Sequence, residues 1–110
     1  MENSILTSIK NLLLVPDDLT EFDNMIITHI NSVFINLTQL GVGPEEGFSI
    51  EDETAEWDEF ISDNAQLQSV KSYMYLKVKL LFDPPLSSSV IESMNRQIAE
   101  LEWRLNVAVD

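Results

Sequence analysis

Every helix-breaking residue in the chain falls in one of three places. Pro16 stands alone, Gly41, Gly43, Pro44 and Gly47 form one cluster, and Pro84 and Pro85 form another. Elsewhere the chain runs unbroken, and most of it carries apolar residues three and four apart, the period of a helix with one buried face. This punctuation predicts an all-α protein, a small bundle of four main helices plus one short acidic helix. At 110 residues it is read as a single domain, 1–110.

The first helix is predicted from a cap at Asn3 or Ser4, with Ile5, Leu6, Ile9, Leu12 and Leu13 on one face, stopping before Pro16. Asp18-Leu19-Thr20-Glu21 has the form of a capping box and predicts a second helix running to about Leu40, ended by Gly41. The Gly41–Gly47 stretch reads as a loop, with Phe48 and Ile50 in a brief extended piece. A short acidic helix is predicted from about Thr54 to Ser62 and a longer one from about Gln66 to Phe82, halted by Asp83-Pro84-Pro85. Ser89-Val90-Ile91-Glu92 forms a second capping box. The last helix then shows Ile91, Met94, Ile98, Leu101 and Leu105 on a narrow seam, with Trp103 off it. The core is expected to hold Trp57, Phe60, Leu76, Leu80, Leu101 and Trp103, buried within the chain or at a subunit contact. A two-stranded element is read around Phe48 or in Asn106-Val107-Ala108-Val109, and Asn106–Asp110, without a capping glycine, is otherwise a tail that orders on docking.

Charge narrows the function classes. The formal net charge is −13, from 19 acidic and 6 basic residues. Such a chain lacks the clustered Lys and Arg that displace counterions from nucleic-acid phosphates, and anionic membranes are disfavoured for the same reason. The absence of Cys excludes disulfides, zinc–thiolate sites and thiol catalysis, and a single His excludes multi-His metal sites. No apolar run approaches the ~20 residues of a membrane span. The first fifteen residues look superficially like a signal peptide, but Lys10 interrupts the apolar stretch and Pro16-Asp17-Asp18 stands where a cleavage site would be. A soluble intracellular protein is expected.

The charges are also segregated. Between Asn11 and Val70 there are thirteen acidic residues and no Lys or Arg, and nine of the thirteen lie between Glu45 and Asp63. This predicts an acidic pole, either a solvated face that maintains solubility or a face that steers or repels something charged. The pole does not carry recognisable chemistry. Glu51-Asp52-Glu53 and Glu56-Trp57-Asp58-Glu59 do not match the ligand spacing of a calcium loop. Gly41-Val42-Gly43 lacks the lysine of a phosphate loop and the third glycine of a dinucleotide site. His29, the one imidazole, sits mid-helix beside Ile26 and Val33 without a companion nucleophile, and reads as a boundary or core residue. No enzyme activity, cofactor or metal is expected.

Apolar surface is the more informative excess. The second helix and the Gln66–Phe82 helix are apolar around much of their circumference, so each is either central in the core or pressed against another subunit. Candidate subunit or partner contacts are Ile27, Phe34, Ile35, Tyr73, Tyr75, Leu80, Trp103 and Arg104.

Three blocks occur together in order. They are His29-Ile30-Asn31-Ser32-Val33-Phe34 with Gln39-Leu40-Gly41-Val42-Gly43-Pro44, then Tyr75-Leu76-Lys77-Val78-Lys79-Leu80-Leu81-Phe82-Asp83-Pro84-Pro85, then Glu100-Leu101-Glu102-Trp103-Arg104-Leu105-Asn106. In these blocks the chain resembles the small head–tail connector (adaptor, or head-completion) proteins of long-tailed bacteriophages. The resemblance implies a helical virion protein that forms a homo-oligomeric ring between the portal protein and a tail-side completion protein, after assembly in the bacterial host cytoplasm. It implies a ring that extends the channel for double-stranded DNA without binding it specifically. Glu51, Asp52, Glu53, Glu56, Asp58 and Glu59 are then the candidate channel-facing or repulsive acids. A different class is an acidic DNA mimic that inhibits a DNA-handling enzyme. The charge suits it, while the clustering of acids in one segment counts against it. Concentration-dependent higher-order species would separate the adaptor from the mimic.

Overall fold

A computed structural model describes residues 3–109, and among them the chain forms five helices. They are α1 (Ile5–Leu12), α2 (Asp23–Gln39), α3 (Trp57–Phe60), α4 (Asn64–Phe82) and α5 (Ser88–Val109). The all-α bundle read from the punctuation is the fold. Helix α4 packs against α2 on one side and α5 on another, and α1 lies across α2 and α4.

Several boundaries move, each for a local reason. Ser4 caps α1 by accepting from the Thr7 N–H at 3.2 Å. The helix stops at Leu12, well before Pro16, and Leu14 turns the chain with φ at +64°. Helix α2 starts at Asp23, not at the Asp18 box. The carbonyl of Leu19, which would serve a first helical turn there, instead accepts from Lys10 Nζ at 2.8 Å. The same ammonium reaches the Asp17 carbonyl at 3.2 Å and the Asp23 carboxylate at 2.8 Å. Lys10 is 3% exposed, so this one buried cation organises the whole α1–α2 connection.

The expected Thr54–Ser62 helix shrinks to the single turn of α3. Residues 55 and 56 are drawn out across the start of α1. Ile5 donates its N–H to the Ala55 carbonyl at 3.0 Å, and Trp57 donates to the Asn3 carbonyl at 3.0 Å. The resulting Ser4–Glu56 bridge is the one isolated β pairing among the described residues, and it does not involve Phe48. Asp63 caps α4 by accepting from the N–H groups of Ala65 and Gln66. At α5 the cap is Ser87, not Ser89, since Ser87 Oγ meets the Val90 N–H. Residues 106–109 continue α5 instead of forming a strand, and Asp110 lies outside the described residues.

The core forms where α2 and α4 meet and extends under residues 42–60. Phe34 stacks edge-on against Phe48 and tilts against Phe60, with centroids 5.0 and 4.8 Å away. Gly43 sits at φ +85°, and the Phe60 ring occupies the place of the missing Cβ, 2.3 Å from where that atom would be. Of the expected core, Trp57, Phe60 and Leu76 are buried, while Leu80 and Leu101 are only partly so. Trp103 is not a core residue of the chain; it is 67% exposed. The seam of α5 faces α4, and Trp103 lies two residues along from the seam residue Leu101, which turns it away from the bundle.

Candidate assembly surface

The acidic pole is a strap held down by its apolar underside. Ile50, Trp57 and Phe60 are buried, and Glu51, Asp52, Glu53, Asp58 and Glu59 are exposed on its outside, with Glu56 half-buried. Both ends are tied to helices. Asn31 on α2 accepts from the Ile50 N–H at 2.8 Å and donates to the Ile50 carbonyl at 3.0 Å. Ser4 Oγ donates to the Glu53 carbonyl at 2.7 Å, and the Trp57 indole N–H donates to Ser8 Oγ at 2.8 Å. Ion pairing inside the chain does little for these acids. Asp52 accepts from the hydroxyl and the N–H of Thr54, which together hold its carboxyl below the usual carboxylate value. The Glu59 carboxylate accepts from the Glu56 N–H at 2.7 Å, and Lys71 lies 5.7 Å over the buried Trp57 ring.

The candidate contact residues divide. Phe34 and Tyr73 are fully buried, which corrects their assignment to a partner-facing surface. Phe34 is enclosed by Phe48 and Phe60, and the Tyr73 hydroxyl donates to Glu102 on α5 at 2.8 Å. Burial first, then that hydrogen bond and the negative charge of Glu102, push the Tyr73 phenol well above its ordinary pKa of 10.0. Ile27, Tyr75 and Leu80 pack partly against the core. Ile35 is exposed, but it shares its face of α2 with the exposed polar residues Thr28, Ser32 and Gln39. Trp103 and Arg104 are exposed on α5, and Arg104 pairs with Glu100 one turn back at 2.6 Å. The broad apolar girth of α2 and α4 is therefore consumed inside the chain, because both helices are central.

Sequence reasoning missed two features. One is the buried Lys10, whose signal was its isolation as the first cation before sixty residues without another. The other is the concentration of exposed apolar residues, including Leu14, Phe22, Met25, Leu81 and Leu86, around the α1–α2 and α4–α5 connections. Their dispersal between two connections hid them from any periodicity. His29 is half-buried on α2, and no group of three or more His, Cys, Asp or Glu among the described residues is arranged to hold a metal ion. No helix among them is long and apolar enough to cross a membrane.

The geometry thus offers a polar strap and exposed apolar surface, and sequence comparison supplies the family. A family model described as phage connector protein matches residues 5–110. The chain belongs to the phage connector family. No curated protein and no solved structure gives a significant match. Family membership makes the connector a structural component of the phage particle that contacts other head or tail proteins.

Proposed function

We propose that the protein is a ring-forming adaptor between portal and tail, which extends the DNA channel once the head is packaged. The observation that carries this reading is the family match across residues 5–110. The acidic strap supports it. Its exposed carboxylates, at most weakly paired within the chain, would line the channel and repel DNA phosphates, so that the duplex slides without adhering. The strap's multiple ties to α1 and α2 suit a wall that has to keep its shape against a passing polymer.

Bringing many subunits at −13 together is opposed by repulsion screened over ~10 Å at 0.1 M salt. The free protein is therefore expected to be a monomer or small oligomer at low salt. It should move to larger species at high salt or when the portal provides a template. Imaging the purified protein alone and with its portal, alongside sedimentation across a salt series, tests this. Closed rings seated on the portal are the expected result. A strict monomer in every condition, without portal binding, would discard the adaptor and leave the acidic mimic as the better reading.

A further inference from the structure

Exposed apolar surface is spread unevenly over this chain. Ten large apolar residues stand out to solvent among the described residues, and seven of them fall in residues 12–25 and 81–90. Those two segments meet, because Phe22 at the start of α2 and Phe82 at the end of α4 pack edge-on with ring centroids 5.6 Å apart. Lys10 draws the α1–α2 connection against the same end through Asp17, Leu19 and Asp23. Apolar residues exposed singly are ordinary, whereas a group gathered at one end of a bundle and rimmed by polar residues marks a protein contact.

Two of these leucines are costly to the isolated chain. Leu14 sits at φ +64°, a conformation its Cβ disfavours, and at 89% exposure it gains no burial in return. Leu86 is fully exposed directly after Pro84 and Pro85, whose rings fix the backbone that presents it.

The rim of this surface is acidic. Asp17, Asp18 and Glu21 are exposed and form no ion pair among the described residues. The chain has no cationic surface to match them. Lys10 is buried, and Lys79 and Arg104 are paired with Asp83 and Glu100. Lys71 and Lys77 lie over the rings of Trp57 and Tyr73. Arg96, the sixth cation, has the exposed Glu92 and Glu100 four residues to either side on the same helix. A second copy would therefore bring acids against acids.

We propose that this end of the bundle docks an apolar, cationic segment of a different protein. The segment's apolar side chains would cover Leu14, Phe22 and Leu86, and its Lys or Arg side chains would meet Asp17, Asp18 and Glu21. The strap provides the contrast within the molecule. It carries more carboxylates, but Ile50, Trp57 and Phe60 are turned inward, so it attracts cations without anchoring an apolar partner. The inference stands apart from the ring reading, since it requires a different protein whether or not copies of this chain close a ring.

Titration of the ¹⁵N-labelled full chain with three synthetic helical peptides tests it: one of leucine and lysine, one of serine and lysine, and one of leucine and glutamate. The leucine–lysine peptide should move the amide resonances of residues 12–25 and 81–90, and the other two should bind at least about tenfold more weakly. Leu14→Asn with Leu86→Ser, and separately Asp17→Asn, Asp18→Asn and Glu21→Gln together, should each weaken the leucine–lysine peptide by a similar factor with an unchanged unfolding midpoint; asparagine keeps the backbone of residue 14. Glu51→Gln with Asp58→Asn on the strap should leave that affinity unchanged. Resonance shifts confined to the strap, equal binding of all three peptides, or wild-type affinity in both sets of end variants would overturn the proposal. Resonances of residues 12–25 that move with protein concentration alone would assign this end to a second copy and overturn it too.

Discussion

Helices α4 and α5 pack against each other, yet they meet solvent in opposite ways. Helix α4 buries Leu67, Val70, Tyr73, Met74, Leu76 and Val78, which lie around most of its girth. Helix α5 buries only the seam of Met94, Ile98 and Leu105, and turns Trp103 outward. Position in the bundle explains the difference. Helix α4 is covered by α2, α1 and α5, whereas α5 packs mainly on α4. A wide apolar stripe therefore marks a central helix here, and a single large aromatic off a narrow seam marks the outside. Surface for a partner is better sought on the helix with the least apolar girth.

The largest expected effect lies on the inner side of this comparison. Phe34→Ala empties the space between Phe48 and Phe60 and should destabilise the fold by roughly 3–5 kcal/mol, measured by denaturant unfolding. A loss under 0.5 kcal/mol, with a partner-dependent change in its place, would return Phe34 to the surface set. Leu80→Ala, at a half-buried site, should fall at or below the low end of the ~2–5 kcal/mol range for core leucines.

Next comes the buried cation that holds α1 to the bundle. Lys10→Met keeps most of the volume but leaves the carbonyls of Asp17 and Leu19 and the Asp23 carboxylate without their donor. The expected cost is about 1–3 kcal/mol in chemical unfolding. Hydrogen exchange in residues 14–22 should rise more than in α4, since Lys10 makes the only side-chain hydrogen bonds to that connection among the described residues. Uniform exchange across both regions would show that Lys10 is not the local organiser.

The interface between α4 and α5 gives a smaller effect with a defined pH dependence. The folded-state pKa of Tyr73 is raised above the ordinary 10.0, so the folded chain holds that proton more tightly than the unfolded one. The associated stability is complete below pH 10 and is lost as pH rises from there through the folded-state pKa. Tyr73→Phe should cost about 1 kcal/mol at neutral pH through the lost bond to Glu102, and should flatten the decline above pH 10. An unchanged alkaline slope would detach Tyr73 from it.

Much of the architecture was legible because proline, glycine and helical spacing act locally. The ends of α4 and the Gly41–Gly47 turn follow from residues within a few positions of each other. What the spacing could not convey depended on distant partners. The Asp18 box failed because a lysine eight residues earlier claimed the Leu19 carbonyl. The Thr54–Ser62 helix failed because the start of α1 took residues 55 and 56 into a bridge. Trp103, off the seam, was expected to be buried within the chain or at a subunit contact; its exposure leaves only the second, because no element of the described residues covers that side of α5. Phe34 and Tyr73 were misplaced because girth alone does not say which neighbours will cover it.

The smallest expected effect on stability is at Trp103, and it sharpens the comparison most. A side chain 67% exposed has little to lose on truncation, so Trp103→Ala should alter unfolding free energy by no more than about 0.5 kcal/mol. Were the residue instead a core aromatic, as its size suggests, the loss would be roughly 3–5 kcal/mol. Denaturant unfolding of the dilute monomer separates these values cleanly, because assembly makes no contribution there. A small loss in the monomer joined to a large loss in the oligomer would assign the tryptophan's apolar surface to a partner. A large loss in the monomer would mean that α5 is covered on its outer side within the chain, and the contrast between α4 and α5 would fall.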